Sequence, residues 1–225
     1  MMQPTKIYDL SQPLYSDSPE YPDVRSKPVN IKLIHKRTQH GVNKELVTLS
    51  THSGTHCDAP YHFFNDGEKI DEMPLRNFVG PATIVDLREK LPASPITRED
   101  LLRLGGAIGI DEIVLLNTGW GRKRGPTSEF LTKWPYLSSD GAAYLLERGV
   151  RGVGIDALSI AGFGIAGSDN QAHEALLGAG KFIVEELYFP DQIMDGKKRL
   201  FCAVPVKLQG CGGAWARAML WDFER

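Results

Sequence analysis

Three of the chain's six histidines stand within eleven residues, in the run Thr51-His52-Ser53-Gly54-Thr55-His56-Cys57-Asp58-Ala59-Pro60-Tyr61-His62-Phe63. No other stretch restricts the fold so tightly. Gly54 and Pro60 exclude a continuous helix, since glycine costs ~1 kcal/mol and proline ~3 kcal/mol in a helix interior. In an extended chain side chains alternate between faces, so His52, His56, Asp58 and His62, all at even positions, would share one face. A straight strand would still hold His52 and His56 about 13 Å apart at ~3.3 Å per residue. That is too wide for joint ligation through bonds of ~2 Å. Gly54 lies between them, where a bend is tolerated. Burying three imidazoles and a carboxylate without partners is costly, and a divalent cation would supply both partner and compensating charge. Imidazole and carboxylate without a thiolate set favour Zn²⁺, Mn²⁺ or Fe²⁺. Cys57 has the opposite parity and reads as core filler.

The rest of the chain predicts an α/β fold with more strand than helix. Apolar, strand-like runs bounded by Gly, Pro or Asp cover Lys6–Leu10, Val29–His35, Glu45–Ser50, Ala82–Leu87 and Glu112–Asn117. Others cover Gly152–Asp156, Lys181–Tyr188, Leu200–Val206 and Trp215–Leu220. Thr97 to Asp100 reads as a capping box opening one helix. Ser139–Arg148, closed by Gly149, and Gln171–Leu177, closed by Gly178, are two more. Pro13, Pro19, Pro22 and Pro28 mark a long irregular loop, of the kind that borders sites. No repeat or composition break divides the 225 residues, so residues 1–225 are expected to form one domain.

Composition narrows the function. Lys and Arg number 26 against 28 Asp and Glu, a net charge of −2 with no basic stripe, which argues against a nucleic-acid partner. Arg122-Lys123-Arg124 reads as a solvated loop. No apolar run approaches the ~18 residues of a membrane span, and the first residues lack a signal-peptide core. Three cysteines, an odd number, argue for a reducing compartment, and the cytoplasm is the expectation.

A second group lies far downstream: His173 on a short helix, and Glu185 with Glu186 in the apolar run Phe182–Leu187. Strand neighbours face opposite ways, so one acid is expected to reach solvent. Glu185 shares the parity of Ile183 and Leu187 and would need a partner such as a metal. Gly162-Phe163-Gly164-Ile165-Ala166-Gly167 spells a dinucleotide-binding fingerprint, with Glu186 at 19 residues beyond it. Five residues separate it from the strand ending at Asp156, and the following helix is too short for a crossover, so a glycine-rich loop is the better reading.

The window His52 to Phe63 resembles the signature of the cyclase-type metal-dependent hydrolases, whose members include bacterial kynurenine formamidases. The resemblance continues through Asp9-Leu10-Ser11, Thr118-Gly119-Trp120, Arg148 to Asp156, His173, Glu185 and Arg217-Ala218. It implies a swivelling β/β/α fold, a homodimer or homotetramer, and a site holding two divalent ions, commonly zinc, with manganese the other candidate. His52 and His56 would match ligands of the first metal and His173 a ligand of the second. Asp58 and Glu185 would match bridging carboxylates, and His62 the general acid/base. Tyr21, after the proline-rich loop, would match an aromatic residue lining the substrate pocket.

The activity so implied is hydrolysis of a small molecule such as N-formylkynurenine, giving kynurenine and formate in tryptophan catabolism. A cyclic amide or lactone, as in isatin hydrolases, is the alternative substrate, and a non-catalytic metal-binding protein the alternative role. The chain departs from the family pattern at Ala161, where an aspartate is usual, and along Cys211-Gly212-Gly213-Ala214-Trp215-Ala216. Both departures are expected near the pocket.

Overall fold

The computed structural model describes residues 4–22, 28–106, 108–165 and 170–223. The first half contains β1 (Pro4–Asp9), β2 (Asn30–His35), α1 (Arg37–His40), β3 (Lys44–Thr48), β4 (His56–Asp58) and β5 (Val79–Asp86). Then come β6 (Pro95–Ile96), α2 (Arg98–Leu104), β7 (Ile113–Asn117), α3 (Ser128–Thr132), β8 (Tyr136–Leu137) and α4 (Ser139–Glu147). The chain ends with β9 (Gly152–Ile155), α5 (Gln171–Gly178), β10 (Phe182–Glu185), β11 (Arg199–Cys202), β12 (Gly213–Trp215) and β13 (Met219–Phe223). One nine-stranded sheet runs in the order β1-β13-β11-β5-β7-β9-β10-β4-β12. The fold is the α/β, strand-rich swivelling β/β/α class.

Strands β5, β7, β9 and β10 are parallel neighbours at the centre of this sheet, and their flanks are antiparallel. Parallel strands are covered on both faces, which is why β7 reads as the unbroken apolar run Ile-Val-Leu-Leu. Val114 and Leu116 join one core with residues of α2, α4 and α5, whereas Ile113 and Leu115 join another with Leu10, Phe78 and Phe201. In β10, Ile183 enters the helix-side core and Phe182 and Val184 the opposite one. This alternation sets which strand residues can reach the helices.

Local signals placed the helices well. Thr97 accepts from the Asp100 amide and Asp100 accepts from that of Thr97, the reciprocal cap expected. Gly149 follows α4 with φ +68, a conformation glycine adopts without a Cβ penalty. The predicted strand Trp215–Leu220 is instead two, β12 and β13, separated at Ala216–Ala218. The chain ends meet there: Arg217 Nε donates to Asp9 Oδ1 at 2.8 Å, and the Ala218 amide donates to Ser11 Oγ at 2.9 Å. No helix among the described residues is long and apolar enough to cross a membrane.

Candidate active site

Sheet register assembles most of the site. Strand β4 pairs with β10 so that His56 lies opposite Glu185, Cys57 opposite Val184 and Asp58 opposite Ile183. Directly opposed residues share a face. His56, Asp58 and Glu185 therefore share the helix side with Ile183, and Cys57 joins Val184 in the other core, its thiol against the Ala203 carbonyl. Helix α5 lies over that face and buries Ala172, His173, Leu176 and Leu177. The spacing of His173 to Leu176 and Leu177 places it on the packed side.

The run from His52 to His62 is not one extended segment. Only His56–Asp58 is strand; His52 sits in a turn, and His62 ends a 3₁₀ turn opened by Pro60. Gly54, with φ +62, makes the bend that brings His52 back, and a Cβ there would lie 2.7 Å from Leu14 Cδ2. His52 Nδ1 then lies 2.7 Å from Asp58 Oδ1. His56 Nδ1 donates to the Gly54 carbonyl at 2.7 Å, which aims Nε2 inward, 3.3 Å from Asp58 Oδ1 and 3.6 Å from Glu185 Oε2. Glu185 Oε1 accepts from the Ile160 amide at 2.7 Å and stands 3.0 Å from His173 Nε2.

Two triads result. His52, His56 and Asp58 offer ligand atoms within 4.8 Å of one another, and so do Asp58, His173 and Glu185, with Asp58 common to both. His56 Nε2 and Asp58 Oδ2 are buried without a hydrogen-bond partner. Unsatisfied buried polar atoms are rare, and here they converge with nitrogen and carboxylate donors that suit a divalent cation. The donor set thus fits a metal. The charges agree: against the desolvation of burial, Asp58 and Glu185 push His56 up to about 9, and three imidazoles hold the buried Asp58 well below the usual carboxylate range.

His62 belongs to neither triad. Its ring stacks on His52 at 4.0 Å, and Phe63 stacks on His173 at 4.7 Å, so the Pro60–Phe63 turn is pressed against both triads. Burial, helped by His52 and His173 and opposed by Asp58, brings His62 down to about 4. Its imidazole is neutral at physiological pH. Tyr21 lies across a cavity of about 410 Å³ that is lined by Glu20, Ser53, His52, His56, His62, Phe63, Leu158, Ser159, His173 and Glu185. Its ring meets Trp134 and Phe163 at 5.8 and 5.7 Å.

Some residues that matter here were not recognised in the sequence. Gly213 pairs with Asp58 on β12, and a Cβ there would fall 2.5 Å from His52 Cε1 and 2.8 Å from the Cys57 carbonyl. Gly212 backs His62 in the same way, at 2.9 Å from its Cα. The departure at Cys211–Ala216 thus makes room for two histidines. Ala161 is instead buried under Trp134, whose Nε1 donates to its carbonyl at 2.7 Å. Gly213→Ala is expected to displace His52 and weaken metal binding by ~10–100-fold, the range for lost support of a ligand. A chelator-competition titration giving the wild-type affinity would show that His52 needs no such room.

Two expectations are corrected. Glu186 does not reach solvent: φ +52 ends the strand and turns its side chain inward, where Oε1 accepts from the Gly54 amide at 3.1 Å and Oε2 from Arg124 Nε at 3.0 Å. Arg124 is accordingly buried, not part of a solvated loop, while Arg122 and Lys123 pair with Asp191 and Glu129. Of the glycine-rich run, Ala166 and Gly167 lie outside the described residues, and Glu186 is paired with Arg124.

Comparison with known proteins agrees with this geometry. Residues 8–161 match the "Putative cyclase" family model. The kynurenine formamidase of Bacillus mycoides (strain KBAB4) is 31% identical over 220 residues, covering 97% of this chain and 99% of that protein. Isatin hydrolase A from Labrenzia aggregata, solved with benzyl benzoate, superposes with a TM-score of 0.88 at 26% identity, over 97% of this chain and 94% of that one. A structure described as a potential metal-dependent hydrolase with cyclase activity gives 0.80 at 31% identity, over 98% and 99%. With well over half of its length matched by the family model and a full-length relative above 30% identity, this chain belongs to the cyclase family of metal-dependent hydrolases.

Proposed function

We propose that the protein hydrolyses aryl formamides of the N-formylkynurenine type, with two divalent ions, zinc or manganese, held by His52, His56, Asp58, His173 and Glu185. The single observation that carries this reading is the pair of triads sharing Asp58, set beside a histidine that joins neither. Full-length similarity to kynurenine formamidases supports the formamide substrate. The superposition on an isatin hydrolase supports a cyclic aryl amide as the second reading.

Bound divalent ions supply Lewis acidity, polarising the scissile carbonyl and acidifying water. The chain's own residues do the rest. Gly54 orients His56 through Nδ1, and the Ile160 amide fixes Glu185, so the donors are held in place before any ligand arrives. His62, neutral and at the pocket wall, can accept a proton from water and pass it to the departing nitrogen. Tyr21 and Phe63 offer aromatic faces to an aryl group and narrow the access of bulk water.

We further propose a homo-oligomer, dimer or tetramer, built through the β2–β3 ribbon. Among the described residues the ribbon pairs with no other strand, and it leaves Leu33, Ile34, Leu46 and Val47 exposed. A lone two-stranded ribbon is marginal in water, and a second copy would cover it. Cytoplasmic residence likewise stands as a proposal, supported by the free state of Cys57, Cys202 and Cys211. The deciding experiment is a hydrolysis panel of N-formylkynurenine, isatin and simple lactones on metal-loaded protein, with metal analysis alongside. We expect close to two ions per chain and the highest kcat/KM on N-formylkynurenine. No bound metal after refolding with zinc or manganese would end the metal reading, and turnover of isatin alone would select the second substrate.

A further inference from the structure

Glu20 is an acidic group of the cavity wall that the reaction just described leaves unused. It lies in the wall beside Tyr21, and its Oε1 is buried without a hydrogen-bond partner. A buried carboxylate oxygen without a partner costs free energy, and none of the described residues hydrogen-bonds this one. Among the described residues, the guanidinium that reaches this loop, that of Arg124, is already committed. Arg124 donates through Nε to Glu186 Oε2 at 3.0 Å, and through its two terminal nitrogens to the Pro13 and Pro19 carbonyls at 3.1 and 3.4 Å. Those carbonyl contacts pin the loop on which Glu20 stands, so the carboxylate is held at the wall. Among the described lining residues there is no lysine or arginine, and the acids are Glu20 and Glu185.

We infer that Glu20 is a specificity determinant, accepting a protonated amine carried on the tail of the substrate, so that the pocket selects ammonium-bearing aryl amides over neutral or anionic isosteres. The inference rests on the amide-hydrolase reading and adds to it the charge of the substrate. An ammonium entering the cavity finds a pre-placed acceptor and forms a charge-assisted hydrogen bond away from bulk water. A neutral tail of equal size leaves the carboxylate desolvated and unpaired, and a carboxylate tail adds repulsion. Discrimination therefore comes as much from the penalty on the wrong tail as from attraction to the right one. Tyr21 and Phe63 would hold the aryl body whatever the tail.

The test uses three formanilides that differ only in an ortho tail: aminoethyl, propyl or carboxyethyl. For metal-loaded wild type we expect kcat/KM to be about tenfold or more higher for aminoethyl than for propyl, the scale of a hydrogen bond to a charged group. Carboxyethyl should be the poorest. Glu20→Gln, nearly isosteric, should bring the aminoethyl-to-propyl ratio close to one, and Glu20→Asp should restore part of it. A readout independent of turnover is calorimetric binding of the aminoethyl aniline product, expected to weaken about tenfold in Glu20→Gln. Equal kcat/KM for the two tails in wild type, or a ratio untouched by Glu20→Gln, would overturn the inference. If no formanilide is turned over, the formamidase reading fails and the binding measurement alone decides the role of Glu20.

Discussion

Asp58→Ala is expected to leave a protein that retains neither ion and has no measurable hydrolysis, the largest single effect available in this site. Asp58 is fully buried at the end of β4, with Oδ1 2.7 Å from His52 Nδ1 and Oδ2 3.7 Å from His173 Nε2. It is the only residue common to both triads. Removing it deletes one donor from each and also the carboxylate that faces His52 Nδ1 and His56 Nε2. Glu185→Ala removes a donor from one triad only, so it should cost one ion and leave the other measurable. The two variants can be compared by metal analysis and by chelator competition, independently of substrate. An Asp58→Ala protein that still holds two ions would show that the histidines and Glu185 suffice, and the shared-carboxylate arrangement would fall.

Much of this was legible in the sequence because the site is built from parity and register. Even spacing of His56 and Asp58, with Glu185 sharing the parity of Ile183, was enough to expect these three on one side of a sheet, whereas His52 and His62 arrive by the bend at Gly54 and the turn opened by Pro60, not by strand parity. The observed pairing of β4 with β10 makes that expectation concrete: His56 stands opposite Glu185 and Asp58 opposite Ile183. Capping chemistry at Thr97 and the glycine after α4 located helices for reasons that are local and therefore visible. The parts that stayed hidden depend on distant chain. Gly213 is recognisable as necessary only when β12 is known to lie against β4, because the clash it avoids is with a side chain 161 positions earlier, that of His52. Glu186 misled the parity argument because its backbone leaves the strand at φ +52, and nothing in an apolar run announces a left-handed glutamate. The burial of Arg124 has the same origin, since its partner is 62 positions away.

His62→Ala is the second large effect, and it separates chemistry from metal binding. His62 lies outside both triads, so its loss should leave the metal content unchanged. Its imidazole stacks on His52 at 4.0 Å and lines the cavity, where the proposed reaction has it carry a proton between water and the leaving nitrogen. Loss of general acid–base catalysis costs ~10²–10⁴-fold, and kcat/KM should drop by that amount on any amide whose departing nitrogen must be protonated. The sign of the pH effect follows from the environment. Burial brings the ring down to about 4, so a base of this kind stays unprotonated and active as the pH falls through the ordinary imidazole value of 6.5. The limb contributed by His62 should therefore lie below pH 6.5, and His62→Ala should remove that limb while leaving any limb set by metal-activated water in place. A substrate with a good leaving group, such as an activated aryl ester, needs no protonation on departure and should lose much less. If amide and activated ester lost activity equally, His62 would be shaping the pocket instead of moving a proton, and the mechanism would need another acid.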